Sequence, residues 1–318
     1  MSSNPLSKLV APRYPAAGVG IESATATVVQ LERRRRDGFT LRRAATITLP
    51  RGLIRPSFDE RNISDVSEAA ESLADLVTSA GLLRQHKWSA ALPEAASRAV
   101  ILTLESAPAS RAEMDEILRW KTERAFGVPL EELRIGRERL RPDAQGHVRY
   151  LATAMRLNVL EEYEAVFDAL GWRVGLILPR HIGEEQWLLR NGHRGDGLLL
   201  SAHAEGFTAV LLRDAQPLIV RSVICEEKDC DDELYRLLLF YRDRLSHADE
   251  AAEARSLEHL LVVGDDFSKE RVSEIVSETL GVGVSALEAA DVGLSLPAGE
   301  FSFDAIAAPA GLATLAWK

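Results

Sequence analysis

The chain has 318 residues, enough for two ordinary domains. With 46% hydrophobic and 27% charged residues it has the composition of a globular protein, and its net charge of −10 argues against nucleic acid as the main partner, because phosphate recognition needs a basic footprint. No apolar run approaches the roughly 20 residues of a membrane-spanning helix, and Met1 to Arg13 lacks the apolar core of a secretory signal, so a cytoplasmic protein is expected.

Residues 1–14 carry Pro and Ser without periodicity and are expected to form a flexible tail. Gly18 to Leu31 then reads as strand, tight turn and strand, leading through the polar stretch Arg33 to Gly38 into a third strand, Phe39 to Leu49. Arg33 to Arg36 is the densest basic block. It reads as a solvated hairpin tip, or more sharply as a contact for anionic headgroups. A helix from Ser64 puts Val66, Ala69, Ala70, Leu73, Val77 and Ala80 on one face and stops at Gly81.

Residues 87–178 alternate four strands (Trp88 to Leu92, Ala99 to Leu104, Leu133 to Leu140, Val148 to Met155) with two helices, the pattern of an α+β insertion. The first helix opens on the capping box Ser110-Arg111-Ala112-Glu113, and the second is expected to start at Asn158 with Glu161 three residues on. A connecting helix, Arg180 to Arg190, leads to a second strand–turn–strand, Leu199 to Leu212. This passes through Arg213 to Gln216 into Pro217 to Ile224. A helix from Asp231 buries Leu234, Leu237, Leu238, Tyr241 and Leu245; the polar loop Asp249 to Ser256, a strand, a helix capped by Ser268, and a last helix entered through Pro309 near its first turn follow. Cys225 and Cys230 have no second Cys or His pair to complete a zinc site and read as incidental reduced thiols; the seven His show no metal-ligand spacing.

Gly20 to Leu31 and Ser201 to Leu212 are the same unit written twice, which implies two related halves facing a cleft. With Ala91-Leu92-Pro93, the helix Glu233 to Tyr241, the strand Leu260 to Gly264 and the closing Gly311-Leu312-Ala313, the layout resembles the actin-like ATPase superfamily over residues 15–317, and within it the PilM-like proteins of type IV pilus assembly. The resemblance implies an α/β, actin-like (ribonuclease H-like) duplicated fold with mixed sheets and an α+β inserted subdomain of the PilM/FtsA type. The first core half would be residues 15–86 with 179–194, the insertion 87–178, and the second half 195–318, with a mixed five-stranded sheet in each half.

It also implies where a nucleotide would sit, in turns that usually read Asp-x-Gly. Here Gly20 stands in the place of the magnesium-orienting Asp, and Glu22, followed by Ser23, in the place of the glycine that admits phosphate. In the second turn Ser201 lacks the charge and His203 the openness, while Gly206 and Thr208 remain; a third element, Gly264-Asp265, puts acids where a glycine-rich turn is usual. At about 4 Å and an effective dielectric near 20, each repulsion between a carboxylate and a phosphate charge costs on the order of 4 kcal/mol. A degenerate nucleotide cleft is therefore expected: no catalytic residue, no metal, no cofactor, with ATP and magnesium as the alternative.

By the same resemblance the chain is expected to be a scaffold at the cytoplasmic face of the inner membrane. It would bind the N-terminal peptide of a PilN-like bitopic membrane protein in a groove between the first half and the insertion and be held at the membrane through that partner. Trp88, Leu92 and Trp120 are candidates to line the groove, and homo-oligomerisation is left open. Alternatives are a working PilM-type ATPase, the cytoplasmic domain of a GspL-like type II secretion protein and an FtsA-like filament former. The last two families continue into a membrane helix or an amphipathic anchor, and nothing of either kind is read after Gly311 to Lys318.

Overall fold

Alternating apolar residues make β1 (Ala17–Ile21), β2 (Thr25–Arg33) and β3 (Phe39–Thr48) an antiparallel meander with two covered faces. The computed structural model describes residues 13–34, 38–105, 110–143, 145–190, 195–248, 257–264, 267–297, 299 and 301–318; the side chains of 190 and 244–248 are also outside the description. Much of the expected tail, the tip Arg35 to Asp37, the loop 249–256 and Leu245's side chain thus lie outside the described residues.

Helix α1 (Val66–Ser79) starts on Asp65, whose carboxylate accepts from the amides of Ser67 and Glu68, and packs Ala69, Ala70, Leu73, Leu76 and Val77 on the sheet. β4 (Lys87–Leu92) and β8 (Arg173–Pro179) run parallel to β1 and complete the order β13-β3-β2-β1-β4-β8, where β13 is the two-residue strand Leu294–Ser295. The second meander is β9 (Asp196–His203), β10 (Gly206–Arg213) and β11 (Gln216–Ile224), joined in parallel by β12 (Leu257–Val263). Among the described residues the expected five strands per half are thus six and four. The fifth place in the second sheet is held by a single parallel bridge between Leu260 and Ala286, because the segment around Gly281 and Gly283 has little side chain to pack as a strand.

Between these sheets the chain forms a smaller sheet, β5-β7-β6, from β5 (Arg98–Leu104), β6 (Leu133–Leu140) and β7 (Val148–Arg156), backed by α2 (Arg111–Phe126). Ser110 caps α2 by accepting from the Glu113 amide at 3.1 Å, as its capping box predicts. The insertion is narrower than 87–178. β4 and β8 pair into the first sheet, and α3 (Leu157–Ala169) packs Val159, Tyr163 and Phe167 into the first core with Trp88 and Trp172. Asn158 is not a cap; Arg156 precedes the helix without a side-chain cap bond.

Two helices lie between the main sheets. α4 (Arg180–Arg190) and α7 (Phe303–Ala313) share a core with Val29 and Leu31 of the first sheet and Leu199, Val210 and Leu261 of the second. Covered on both sides, α7 is apolar all round rather than striped. It begins at Phe303, which places Pro309 mid-helix rather than in the first turn. The missing amide is tolerated because close packing holds the segment: a Cβ on Gly18 would lie 2.1 Å from the Pro309 carbonyl oxygen, and one on Gly311 would lie 1.8 Å from that of Gly183 in α4. The Trp187 indole donates to the Ala307 carbonyl at 2.8 Å and locks the same crossing. Outside, α5 (Cys230–Ala248) and α6 (Lys269–Leu280) cover the second sheet with Leu234, Leu238, Tyr241, Val272 and Ile275.

Candidate functional site

The ends of the two meanders face each other across a cleft of about 450 Å³. Gly20, Glu22 and Ser23 reach it from the β1–β2 turn, His203 from the β9–β10 turn, and Gly264 from the end of β12, so five of the residues singled out in sequence do converge. Ser201 and Thr208 are fully buried in the second sheet, opposite each other in register. Gly206 has φ +137°, and a Cβ there would lie 2.2 Å from the Val223 carbonyl oxygen, so this glycine serves sheet packing. Asp265 lies outside the described residues.

The cleft floor comes from residues that the motif comparison missed. The first turn of α4 supplies Arg180 and His181, and the 3-10 turn after β4 supplies Glu94, all buried. Arg180 bridges Glu22 at 3.2 Å and Glu184 at 2.8 Å, while His181 Nδ1 meets the Glu94 carboxylate at 2.7 Å. From Glu94 the chain of contacts continues to Ser222 at 3.5 Å, to Thr208 at 2.8 Å and to His203 at 3.5 Å. Polar residues inside apolar context were the available signal: Glu94 in Ala90 to Ala96, and Arg180, His181, Glu184 and Glu185 between two apolar strands.

Burial pushes the Glu22 carboxyl up to about 7, the neighbouring Arg180 countering it and Glu184 and Glu94 adding to the rise. Burial would also raise Glu94, yet the His181 charge and hydrogen bond bring it below the usual carboxylate range. Burial would lower His181, and Glu94 raises it instead, so the two hold each other as an ion pair. His181 Nε2, Glu184 Oε2 and Ser201 Oγ are buried without a hydrogen-bond partner among the described residues.

These residues do not fit a magnesium-bound triphosphate. A Cβ at Gly20 would lie 3.2 Å from the Pro309 ring, so an orienting Asp there would crowd that ring. The Arg180 guanidinium is held between two carboxylates, and Asp304 at the start of α7 already accepts from the Gly264 amide at 3.2 Å. Among the described residues no group of three or more His, Cys, Asp or Glu is placed to hold a metal ion.

The expected groove residues are not brought together. Trp88 and Leu92 are fully buried in β4, Trp88 stacking on Trp172 at 4.7 Å, because β4 is a central strand with both faces covered; Trp120 is exposed on α2 beside Arg124. A second cavity, of about 550 Å³, lies where the first half, the insertion and the second half meet. Phe58 and Glu94, then Arg98 and Val100 of β5, then Arg221 and Ile224 of β11 form its three walls. β5 and β11 are each the outer strand of their sheets, and Ile224 is 82% exposed. Cys225 follows it, with its Sγ 2.7 Å from that of Cys230.

A chain of the PilM–PilN type IV pilus biogenesis complex superposes with a TM-score of 0.73 at 18% identity, over 96% of this chain and 100% of that chain. A Bacteroides thetaiotaomicron protein with an actin-like ATPase fold and unknown function gives 0.47 at 10% identity over the whole of both chains. The cytoplasmic domain of EpsL, an inner membrane component of the Vibrio cholerae type II secretion system, gives 0.45 at 11% identity over 94% of this chain and 93% of that one. No family model and no curated protein matches the sequence. At such identities the likeness is one of fold: the chain has the α/β, actin-like duplicated fold with an inserted subdomain.

Proposed function

We propose that this chain is a nucleotide-independent scaffold of PilM type, acting at the cytoplasmic face of the inner membrane in a type IV pilus assembly platform. The observation that carries the reading is the end-to-end superposition on a chain of the PilM–PilN complex, joined to a cleft in which the Glu22–Arg180–Glu184 cluster and the Pro309 ring oppose a triphosphate. Among the described residues no helix is long and apolar enough to cross a membrane, which fits a peripheral place there. The partner is an extended apolar peptide from the N-terminus of a PilN-like bitopic protein. Its place is the cavity between the first half and the insertion, where outer strands β5 and β11 offer backbone groups and Phe58, Val100 and Ile224 offer apolar surface.

Calorimetry and a pull-down test the two parts separately. Millimolar ATP with magnesium should give no heat and no rise in melting temperature; micromolar affinity would return the cleft to the ATPase reading, since a ligand of the folded state must stabilise it. The peptide should be retained by the full chain and released by Ile224→Asp or Val100→Asp. Retention by a truncate of residues 195–318 alone would remove the cavity from consideration.

A further inference from the structure

Strand direction separates two ends of the first sheet. β1 enters the cleft at Ile21, and the parallel strands β4 and β8 point the same way, so Ala17, Lys87 and Arg173 mark the opposite end, about 13 Å away at 3.3 Å per residue. β2 and β3 return there: Gln30 pairs with Ala17, and Arg43 with Gln30. A bulge follows, in which Leu31 pairs with Leu41 and Arg42 is the extra residue, so Arg42 and Arg43 are both exposed although they are neighbours on one strand. The turn from α1 to β4 adds Leu83, Arg84 and Lys87. Arg34, Arg42, Arg43, Arg84, Lys87 and Arg173 are all exposed, and none of them forms an ion pair with a described carboxylate. Glu32 is the acid nearest along the strands, in a chain whose net charge is −10. Amid these cations Leu83, 65% exposed, stands at the tip of its turn beside a shallow concavity lined by Gln30, Arg42, Arg43 and Arg84.

We propose that this end of the first sheet docks directly on an anionic lipid surface, with the cations over the headgroups and Leu83 entering the interfacial layer. The chemistry favours a bilayer over a discrete phosphate ligand. The cations are spread over four separate segments and are exposed, Arg43 also donating to the Gly81 carbonyl, which suits a diffuse sheet of charge, and a lone exposed leucine among them suits an apolar boundary just beneath it. Because the peptide cavity and the cleft lie at the other end, the contact is independent of any partner peptide and leaves that surface open.

Vesicle co-sedimentation of the full chain tests this without a partner. Vesicles containing phosphatidylglycerol should bind the protein at low ionic strength and vesicles of phosphatidylcholine alone should not, with binding falling as salt rises. Each basic residue near such a surface strengthens binding on the order of fivefold, so Arg42→Glu with Arg84→Glu should weaken it by at least about 25-fold, and Leu83→Ser should weaken it severalfold at unchanged salt dependence. Arg134→Glu with Arg139→Glu, an equal charge change on exposed residues of β6, should leave binding intact. Equal loss in that variant would make net charge the cause and overturn the assignment. So would binding to phosphatidylcholine alone, displacement by millimolar inorganic phosphate, or equal affinity for a single-stranded oligonucleotide under the same conditions.

Discussion

The two meanders share a topology and differ in what their turns carry. β1-β2-β3 and β9-β10-β11 each run antiparallel and each hand the chain to a parallel strand, β4 or β12, beside the first. Yet the first turn places a carboxylate in the cleft, bound to Arg180, whereas the second places Ser201 inside the sheet with its hydroxyl unpartnered and His203 at the rim. The lesson is that strand pattern specifies the frame, while a few turn residues, free of the pattern, decide the chemistry at the meeting of the halves. The surroundings differ too: β1 is pressed against the backbone of α7, and β9 is not.

The sharpest test of that last difference is a pair of single-methyl substitutions. Gly18→Ala sets a Cβ against the Pro309 carbonyl and should cost about 3 kcal/mol in urea unfolding. Gly197→Ala on β9 meets its nearest atom at 3.7 Å and should stay within about 0.5 kcal/mol. Similar costs would dissolve the contrast.

Titration separates the two turns next. Glu22 titrates at about 7 in the folded state against an ordinary 4.5, so between those values the folded state holds more protons than the unfolded one, and stability falls as pH rises from 4.5 to 7. The expected fall attributable to Glu22 is about 2 kcal/mol, allowing for its partial exposure. Glu185, also raised to about 7 by burial, adds a fall of the same sign that persists in variants of Glu22. Glu22→Gln should therefore flatten the profile in this window, and Ser201→Ala should leave it unchanged; a profile identical to wild type in Glu22→Gln would break the reading.

A smaller effect concerns introducing an Asp-x-Gly turn. Gly20→Asp with Glu22→Gly should confer no nucleotide binding and should lower stability by about 1 kcal/mol, because the new side chain meets the Pro309 ring. Adding Pro309→Ala should recover that loss. ATP binding by the double variant would show that the ring yields. The smallest expected change lies in the second turn: Ser201→Ala removes a buried hydroxyl without a partner and should be neutral or slightly stabilising, whereas Thr208→Val breaks the 2.8 Å contact with Ser222 and should cost about 1 kcal/mol.

Much of the frame was legible in the chain because it rests on local rules. The apolar strand–turn–strand runs of Gly18 to Leu31 and Leu199 to Leu212, the capping box at Ser110 and the glycine stop at Gly81 are satisfied within a few residues, and the meanders, α1 and α2 form where they are read. Trp88 and Leu92 misled for a related reason: an apolar strand looks the same whether one face or both are covered, and only its sheet partners decide.

What the sequence by itself determined is thus the duplicated order of strands and helices and the placing of Gly20, Glu22, Ser201 and His203 at their turns. The tertiary structure alone decided that Arg180 bridges Glu22 and Glu184 while His181 pairs with Glu94, that the proline expected near the start of the last helix sits mid-helix against Gly20, and that β4, α3 and β8 belong to the first core rather than to the insertion. Periodicity reports which side of an element is buried, but not which distant element buries it. Glu94 and His181 are 87 positions apart, and their pairing is chosen by the packing of α4 between two sheets, a long-range outcome that no local pattern carries.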